Sequence, residues 1–520
     1  MRGARIFFLN GILLSLVTVV LRAASVAFNA FVSRMIGEEA LGLFTLVMSV
    51  YTLAVTFATS SVNLAAVRMT SETMARLEKM GADAASMKKA LRRDMVGCIK
   101  YSLFFGIVGG AAVYIFAPVI GEHILGDVRT VLSLRVFSAS LLPISLAAAL
   151  SGYFTGINKV YKNAIISTLE QVVKMTVITM GLMTIAPRGI EYACACVVGG
   201  GAVGEGASLI SSLLFYITDR TRTKGKKKAY LPLENALKKT ASIAFPVALG
   251  SYVRSSLVCA EHIAIPRGLR AYGANSADAL SSYGVVHGMV YPLIFFPSSI
   301  LASFASLLIP ELSAAAATDN KRKIVSVTGK VMKSCLVFSF LTSGIFIAFA
   351  SFFGLSIYDS HEAGKYIAMI APLIPVMYLD TSVDFMLKGL GQQLYTMGVN
   401  IADAFLSLIL VLILVPRFGL MGYIAAVYIL EIFNCALSLG RLVKITGVRP
   451  MTGWIIRPLI SVLLACATVR AISLSPVICI SVPVRLAMTL TLAAFLMRIC
   501  GAVKKSDILY VKNVIKRAKS

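Results

Sequence analysis

Long apolar stretches recur along this chain, near residues 6–33, 41–66, 97–120, 131–155, 160–186, 193–218, 241–265, 279–309, 331–354, 366–387, 394–416, 419–440, 453–474 and 477–499. Each is long enough to cross a bilayer as a helix. The runs are continuous rather than alternating, which argues against a membrane β-barrel. In lipid, every backbone group must find its partner inside the segment, so helix is the expected conformation. The pattern predicts an all-α polytopic membrane protein of about fourteen transmembrane helices in two six-helix lobes, with two further helices at the C-terminal end.

Four of these spans break the apolar pattern in a regular way. In 6–33 the polar positions are Ser15, Thr18, Arg22, Ser25 and Asn29, at spacings of three and four, so they share one helical face. An arginine at mid-span costs roughly 2.5–3.5 kcal/mol even on lenient insertion scales, so it should face water or a partner. The second span repeats the stripe with Thr45, Ser49, Thr52, Thr56, Ser60 and Asn63. The seventh carries Ser251, Arg254, Ser255 and Glu261 beyond a kink at Pro246. The eighth carries His287, Tyr291, Ser299, Ser303 and Ser306 and is interrupted by Pro292 and Pro297. Spans one and two thus correspond to seven and eight as the polar pair of each lobe, and the arginines are placed to hold an anion. Serine and threonine also bond their own helix or glue neighbours together, so a single hydroxyl says little.

Composition narrows the class. Of 520 residues 58% are hydrophobic and 14% charged, which leaves nothing for a sizeable aqueous domain. A net charge of +26 would suggest nucleic acid in a soluble protein. Here it follows the membrane topology instead, and no nucleic-acid partner is expected. Alternate loops hold the basic clusters: Arg68, Arg76, Lys79, Lys88, Lys89, Arg92 and Arg93, then Arg220 to Lys239, then Lys321 to Lys333, then Arg441, Lys444 and Arg449. The other loops are short, with scattered Arg34, Arg188, Arg267, Arg270 and Arg417. By the positive-inside rule the clusters are cytoplasmic, and an even helix number places both termini there in the cell membrane. Residues 1–5 are basic, and the run that follows is too long for a signal-peptide core, so it is an uncleaved first helix. Nine cysteines fall almost entirely in apolar spans without metal spacing and read as small core residues.

The chain divides into an N-lobe, 1–218, a basic linker, 219–240, a C-lobe, 241–445, a final pair, 446–503, and a basic amphipathic tail, 504–520, suited to anionic lipid. Gly152-Tyr-Phe-Thr-Gly156 reads as a tight turn between spans four and five. Lys388-Gly-Leu-Gly391 reads as its counterpart about 235 residues later, as repeat-built transporters predict. Glu170 and Lys174, four apart on span five, should neutralise each other. Asp380 and Asp384 share a face of span ten, and Asn400 and Asp403 one of span eleven. Intramembrane carboxylates beside an amide are candidates for a coupling-ion site for Na+ or H+. Gly199-Gly-Gly-Ala-Val-Gly-Glu-Gly206 lies inside a span and lacks the Gly-Lys-Ser/Thr ending of a phosphate loop, so it predicts close helix packing. No ATP-hydrolysis motif and no other cofactor signature occurs.

Gly37-Glu-Glu-Ala-Leu-Gly-Leu-Phe-Thr-Leu-Val-Met-Ser-Val-Tyr51 looks like the second-helix signature of the stage V sporulation protein B-like polysaccharide transporters. Ser151-Gly-Tyr-Phe-Thr-Gly156 followed by Glu170-Gln171 is similar to another of their segments, and Pro297 to Glu311, ending in Leu308-Ile-Pro-Glu-Leu-Ser313, to their eighth helix. The similarity runs over about residues 6–500. The family belongs to the multidrug/oligosaccharidyl-lipid/polysaccharide superfamily, with lipid II flippases as relatives. The resemblance implies two lobes around a V-shaped cavity lined by helices one, two, seven and eight, opening alternately to each side. It also implies basic residues in that cavity that hold a pyrophosphate. Arg22 matches the first-helix arginine by position, and Arg68 is a looser match. The eighth-helix arginine is missing, with Pro292 in its place, and Arg254 is the substitute on offer. That departure favours the sporulation-type branch over the housekeeping lipid II enzyme.

The expected function is therefore a flippase, not an enzyme, for an undecaprenyl-diphosphate-linked saccharide of peptidoglycan or another envelope polysaccharide. It would act as a monomer by alternating access. The expected substrate-binding set is Arg22, Ser25, Asn29, Thr52, Thr56, Asn63, Arg68, Arg254 and Glu261. The expected coupling set is Asp380, Asp384, Asn400 and Asp403. The expected partners are the lipid-linked oligosaccharide and anionic membrane lipids. A cation-coupled multidrug or metabolite exporter on the same fold is the alternative, but its cationic substrates would want acids where this chain has Arg22 and Arg254. A membrane glycosyltransferase or polymerase would need a large outer loop bearing catalytic acids, and the outer loops are too short. Membrane potential alone would assist outward movement of an anionic headgroup by about 2.3 kcal/mol per charge per 100 mV.

Overall fold

The computed structural model describes residues 2–80, 84–185, 188–221, 235–448, 451–473 and 481–503. Most of the basic linker, the tail 504–520 and Cys479 lie outside the described residues, as do the side chains of Ser15, Ser303 and Ser306. Among the described residues there is no strand. The helices are α1 Arg2–Thr59, α2 Val62–Lys79, α3 Ala84–Val119, α4 Thr130–Ser138, α5 Leu141–Gly156, α6 Val160–Ile185, α7 Ile190–Thr221, α8 Ala236–Tyr272 and α9 Ser276–Gly284. They continue with α10 Tyr291–Ala317, α11 Lys321–Ala348, α12 Ala350–Phe353, α13 His361–Ile370, α14 Ile374–Gly389, α15 Gln393–Thr446, α16 Gly453–Ser473 and α17 Val482–Ile499. Short π-helices extend three of them: Ile120–Leu125 after α3, Val285–Val290 after α9 and Gly354–Tyr358 after α12.

Among the described residues eleven helices are long and apolar enough to cross a membrane, or twelve counting the bent pair Thr130–Ser138 and Leu141–Gly156. Two of them, Val17–Lys79 through α1 and α2 and Gln393–Thr446 in α15, are each long enough for two crossings, and α1 and α15 are each broken at one glycine. Gly37 sits at φ 81° and ψ 173°, and Gly419 at φ 60° and ψ −141°. Counted that way, the chain agrees with the fourteen spans expected, and it is a multi-pass membrane protein. The loops expected between spans one and two, and between eleven and twelve, are reduced to those glycines, which reach the left-handed region at no steric cost.

Contacts divide the chain into two compact units, Met35–Arg267 and Met1–Arg34 with Gly268–Ser520. These are not the sequence lobes 1–218 and 241–445. The first half of α1 is counted with the C-terminal unit, and most of α8 with the N-terminal one. Hydropathy gives a helix its buried face but not its neighbour, so this exchange was invisible in the pattern.

In the unit 35–267, α5 packs on α2 around Val62, Ala65, Met69, Leu150 and Phe154. Gly152 makes that approach possible: a Cβ there would stand 2.6 Å from the Asn63 carbonyl oxygen and 2.7 Å from Ala66 Cβ. Gly152 and Gly156 therefore belong to the last turn of α5 and act as a small-xxx-small packing face, not as the tight turn expected. The Gly199–Gly206 stretch is helical as anticipated, and Gly200 and Gly204 admit Ile178, Lys174 and the Glu170 carbonyl of α6. In the other unit, Leu312, Met332, Leu336, Val383, Leu387 and Leu442 form one core, and α16 and α17 pack together beside Val337 and Leu341 of α11. Among the described residues seven cysteines are buried or half-buried, and Cys500 is exposed.

The internal repeat is in register to the residue. The helix α14 follows α5 at one fixed interval at both ends. At that interval the π-helix ending in left-handed Gly126 corresponds to the one ending in left-handed Asp359. The Ser145 hydroxyl donates to the Ser102 carbonyl at 2.8 Å, and at the same two positions the Cys335 thiol donates to the Tyr378 carbonyl at 3.3 Å.

Candidate functional site

The polar stripes of the sequence fall in both units, and each half has its own geometry. In the unit 1–34 with 268–520, α1 presents Arg22, Ser25 and Asn29. Arg22 is exposed and has no hydrogen bond or ion pair among the described residues. Asn29 has one, from Nδ2 to the Gly288 carbonyl in the π-helix Val285–Val290. The sequence explains that contact. Pro292 has no N–H to return to the turn before it, and the Asn29 amide donates into that turn at Gly288. His287 next to it is packed among Tyr283, Tyr291 and Tyr423, with ring centroids 4.8, 5.1 and 5.4 Å away. Asn29→Leu removes this hydrogen bond, at an expected cost of about 0.5–1.5 kcal/mol. The check is a lower thermal unfolding temperature for Asn29→Leu than for Asn29→Gln, whose amide is retained.

The same unit gathers the acidic residues. Asp380 on α14 accepts from Asn434 Nδ2 of α15 at 3.3 Å through Oδ2, while its Oδ1 is buried without a hydrogen-bond partner. Asp384, Asp403 and Glu431 stand in the electrostatic field of Asp380, and Ser438 is close to it. Lys388 stands 3.7 Å from Asp384. Asn400, expected among the ligands, turns its amide back to the Thr396 carbonyl of its own helix at 2.7 Å. Glu431 and Asn434 were missed in the sequence. They are three apart on one face of α15, the same kind of signal as Asp380 and Asp384.

In the unit 35–267 the stripe of α1 turns toward α8. The Thr56 and Ser255 hydroxyls are 3.0 Å apart, and Tyr252 donates to Ser60 at 2.6 Å. Thr52 bonds the Met48 carbonyl of its own helix, and Asn63 donates to the Ala148 carbonyl at 3.1 Å. These side chains thus do structural work. Arg68, the looser phosphate candidate, is paired with Glu72 at 2.9 Å, and Glu72 also draws Lys239 at 3.6 Å. Arg254 is different: it is exposed with no ion pair or hydrogen bond among the described residues. Glu261, two turns on, has partners of its own. Glu170 and Lys174 do interact, but Lys174 also faces Glu205 of α7, which hydrogen-bonds Tyr51, while Glu170 bonds Ser208. Glu205 sits in the glycine-rich stretch and was overlooked there. At the end of this unit away from the basic loops, Arg129 holds Asp127 at 2.7 Å and Glu39 at 2.9 Å. Hydrogen bonding to Asp127, against the cost of burial and with help from Glu39, raises the Arg129 guanidinium above its usual value, so the group stays charged.

Arg22 and Arg254 are thus the two members of the expected binding set that keep an uncommitted cation at mid-span. Guanidinium is always charged and can hold two phosphate oxygens at once.

Comparison with known proteins bears on what such cations serve. Residues 8–315 match the family model described as polysaccharide biosynthesis protein. Stage V sporulation protein B of Bacillus subtilis (strain 168) is 26% identical over 427 residues, 81% of this chain and 80% of that protein. Among solved structures, the lipid II flippase MurJ in an inward closed conformation aligns at a TM-score of 0.69 and 14% identity, over 96% of this chain and all of that one. An inward-facing multidrug resistance transporter of the MATE family, in the MOP superfamily, aligns at 0.62 and 13% identity, over 83% of this chain and all of that one. At those identities the structural likeness speaks to the fold.

Proposed function

The chain belongs to the polysaccharide biosynthesis protein family, and from that premise we propose that it is a flippase for an undecaprenyl-diphosphate-linked saccharide. It works by alternating access and makes or breaks no covalent bond. The observation that carries this reading is the uncommitted arginine at mid-span, Arg22 on α1 and Arg254 on α8. A charge in that position is costly, and a diphosphate headgroup is the ligand that repays it. The basic loops face the cytoplasm with both termini, and they hold anionic lipid around a protein that acts as a monomer.

We also place the coupling ion at the acids of α14 and α15. Among the described residues no group of three or more His, Cys, Asp or Glu could hold a metal ion. The Asp380 carboxyl, whose Oδ1 has no partner, is the group we propose to take the coupling Na+ or H+.

The test is outward flipping of lipid II and of other undecaprenyl-diphosphate-linked saccharides in oriented proteoliposomes. Movement of at least one of them above protein-free vesicles is expected. Folded protein that moves none, but exports a cationic drug, would replace this reading with the exporter.

A further inference from the structure

One titratable cluster, at mid-span in the unit 35–267, takes no part in the function proposed above. Glu170 stands near the middle of α6 and Glu205 at the middle of α7. Lys174, one turn beyond Glu170, faces both carboxylates. Gly204 makes that meeting close: a Cβ there would stand 3.1 Å from the Lys174 Cβ and 3.3 Å from the Glu170 carbonyl oxygen. The backbone of α7 therefore lies directly on α6 at this level and delivers Glu205 beside the pair. Tyr51 reaches in from α1, its ring at right angles to Phe137 with centroids 5.4 Å apart, and its hydroxyl donates to Glu205. Glu170 accepts from the buried Ser208 hydroxyl. Other charged groups around α6 and α7 are engaged elsewhere. Arg135 of α4 lies over the Tyr114 ring. Arg129 pairs with Asp127 and Glu39 at one end of the span, and Asp219 with Lys159 and Lys162 at the other.

Charge counting gives the cluster its chemistry. Two carboxylates share one ammonium, so with both ionised the set carries a net negative charge in the apolar middle of a span, where charge is costly. One proton held between the two acids makes the set neutral, and it belongs to the pair rather than to either residue. Tyr51, Glu170, Lys174 and Glu205 are all half-buried, so a proton can arrive from water and return to it. The internal repeat carries related groups at the same positions of the other half. At its fixed interval Glu170 corresponds to Asp403 and Glu205 to Ser438, both of which bear on Asp380. We propose that Glu170 and Glu205, with Lys174 and Tyr51, form a proton-binding site separate from the acids of α14 and α15, and that its proton is taken up and released during transport. The proton adds to a carboxylate oxygen and leaves from it, Lys174 stays an ammonium, and no other bond changes. Its use in transport rests on the flippase reading above, whereas the site itself does not.

The experiment has two readouts, and the first needs no substrate. Infrared difference spectra of the full-length protein in lipid vesicles read the carbonyl stretch of a protonated carboxyl. They are taken between about pH 6 and pH 9, where ordinary glutamates, at about 4.3, stay ionised. The native protein is expected to show such a band that disappears as the pH rises. Glu205→Gln and Glu170→Gln should each abolish it, because the remaining acid then has Lys174 to itself. Lys174→Met should keep the band and move its loss to higher pH, since a cation that favours the ionised form has gone. Those spectral changes are not what a cluster that merely braces α7 on α6 would give. The second readout is the rate of lipid-linked saccharide flipping against pH, which Glu205→Gln should flatten. No such band in the native protein, or one that survives both Gln substitutions at native thermal stability, overturns the site. An unchanged pH profile of flipping in Glu205→Gln, with the band lost, overturns its use in transport. If the Gln variants do not fold, the direction of the Lys174→Met shift decides. A band that behaves as stated in a protein that flips no lipid-linked saccharide keeps the proton site and removes the substrate reading instead.

Discussion

Arg22→Ala is expected to lower flipping by roughly one to two orders of magnitude while leaving the protein folded. A hydrogen bond to a charged group is worth about 1.5–3 kcal/mol, and tenfold in rate corresponds to about 1.4 kcal/mol. Losing the guanidinium's hold on a diphosphate therefore gives an effect of that size. Stability should not fall with it. Arg22 has no partner among the described residues to be orphaned, and removing a mid-span charge relieves an insertion cost. Arg22→Lys keeps the charge but loses the planar two-oxygen fork, so it should recover part of the rate. The measurement is flipping of the lipid-linked saccharide in proteoliposomes, paired with thermal unfolding of each variant. A native rate in Arg22→Ala would move the headgroup to other residues, with Arg254→Ala the next to try. A loss of folding in Arg22→Ala would mean that Arg22 is a structural residue.

The contrast with Arg68 shows how much of the site was legible. Both arginines fitted an expected phosphate ligand, and sequence spacing alone did not separate them. Arg68 has Glu72 one turn away and is paired with it. Arg22 has no acid within four residues on either side. That difference was in the sequence, read as a negative. The Asn29 contact was only half legible, because Pro292 announces a turn short of a helical N–H, but the polar stripe of α1 was read as facing substrate and not that turn. The Thr56 and Asn63 contacts were not, since a hydroxyl stripe looks the same whether it faces water or a neighbouring helix.

At the level of fold, apolar run length gave the helices because the bilayer sets their length. It did not give their joints. Gly37 and Gly419 replace whole loops, and nothing in the hydropathy of Arg34 to Ala40 distinguishes a short loop from a helix broken at one residue. The exchange of α1 and α8 between compact units was likewise hidden. Its only trace in the sequence is Arg34 and Arg267, scattered basic residues on the face that should carry few, whose equivalence appears once the repeat interval is known. Glu205 and Glu431 were missed for a related reason: each acquires its meaning from acids on another helix.

A second large effect belongs to Asp219. Lys162 has a side chain only 7% exposed, lodged against the Phe154 and Phe215 rings at 5.1 and 5.3 Å. Its counter-charge is Asp219, 2.6 Å away at the end of α7, which also holds the half-exposed Lys159 at 2.9 Å. Asp219→Asn leaves the Lys162 ammonium buried without an anion, and breaking a buried pair from one side costs roughly 3–5 kcal/mol. Cation–π contacts recover part of that cost, about 0.5–2 kcal/mol, so a net loss near the lower end is expected. The unfolding temperature in detergent should fall accordingly. The pairing with Lys162→Met makes the argument testable beyond a simple loss of fold. With the cation gone, a methionine fits the same aromatic slot, and the Asp219→Asn, Lys162→Met double variant should be close to the parent protein in stability, because a buried pair is worth little more than a well-packed apolar replacement. A double variant as unstable as Asp219→Asn alone would show that Asp219 acts through Lys159 or the end of α7, not by neutralising the buried lysine.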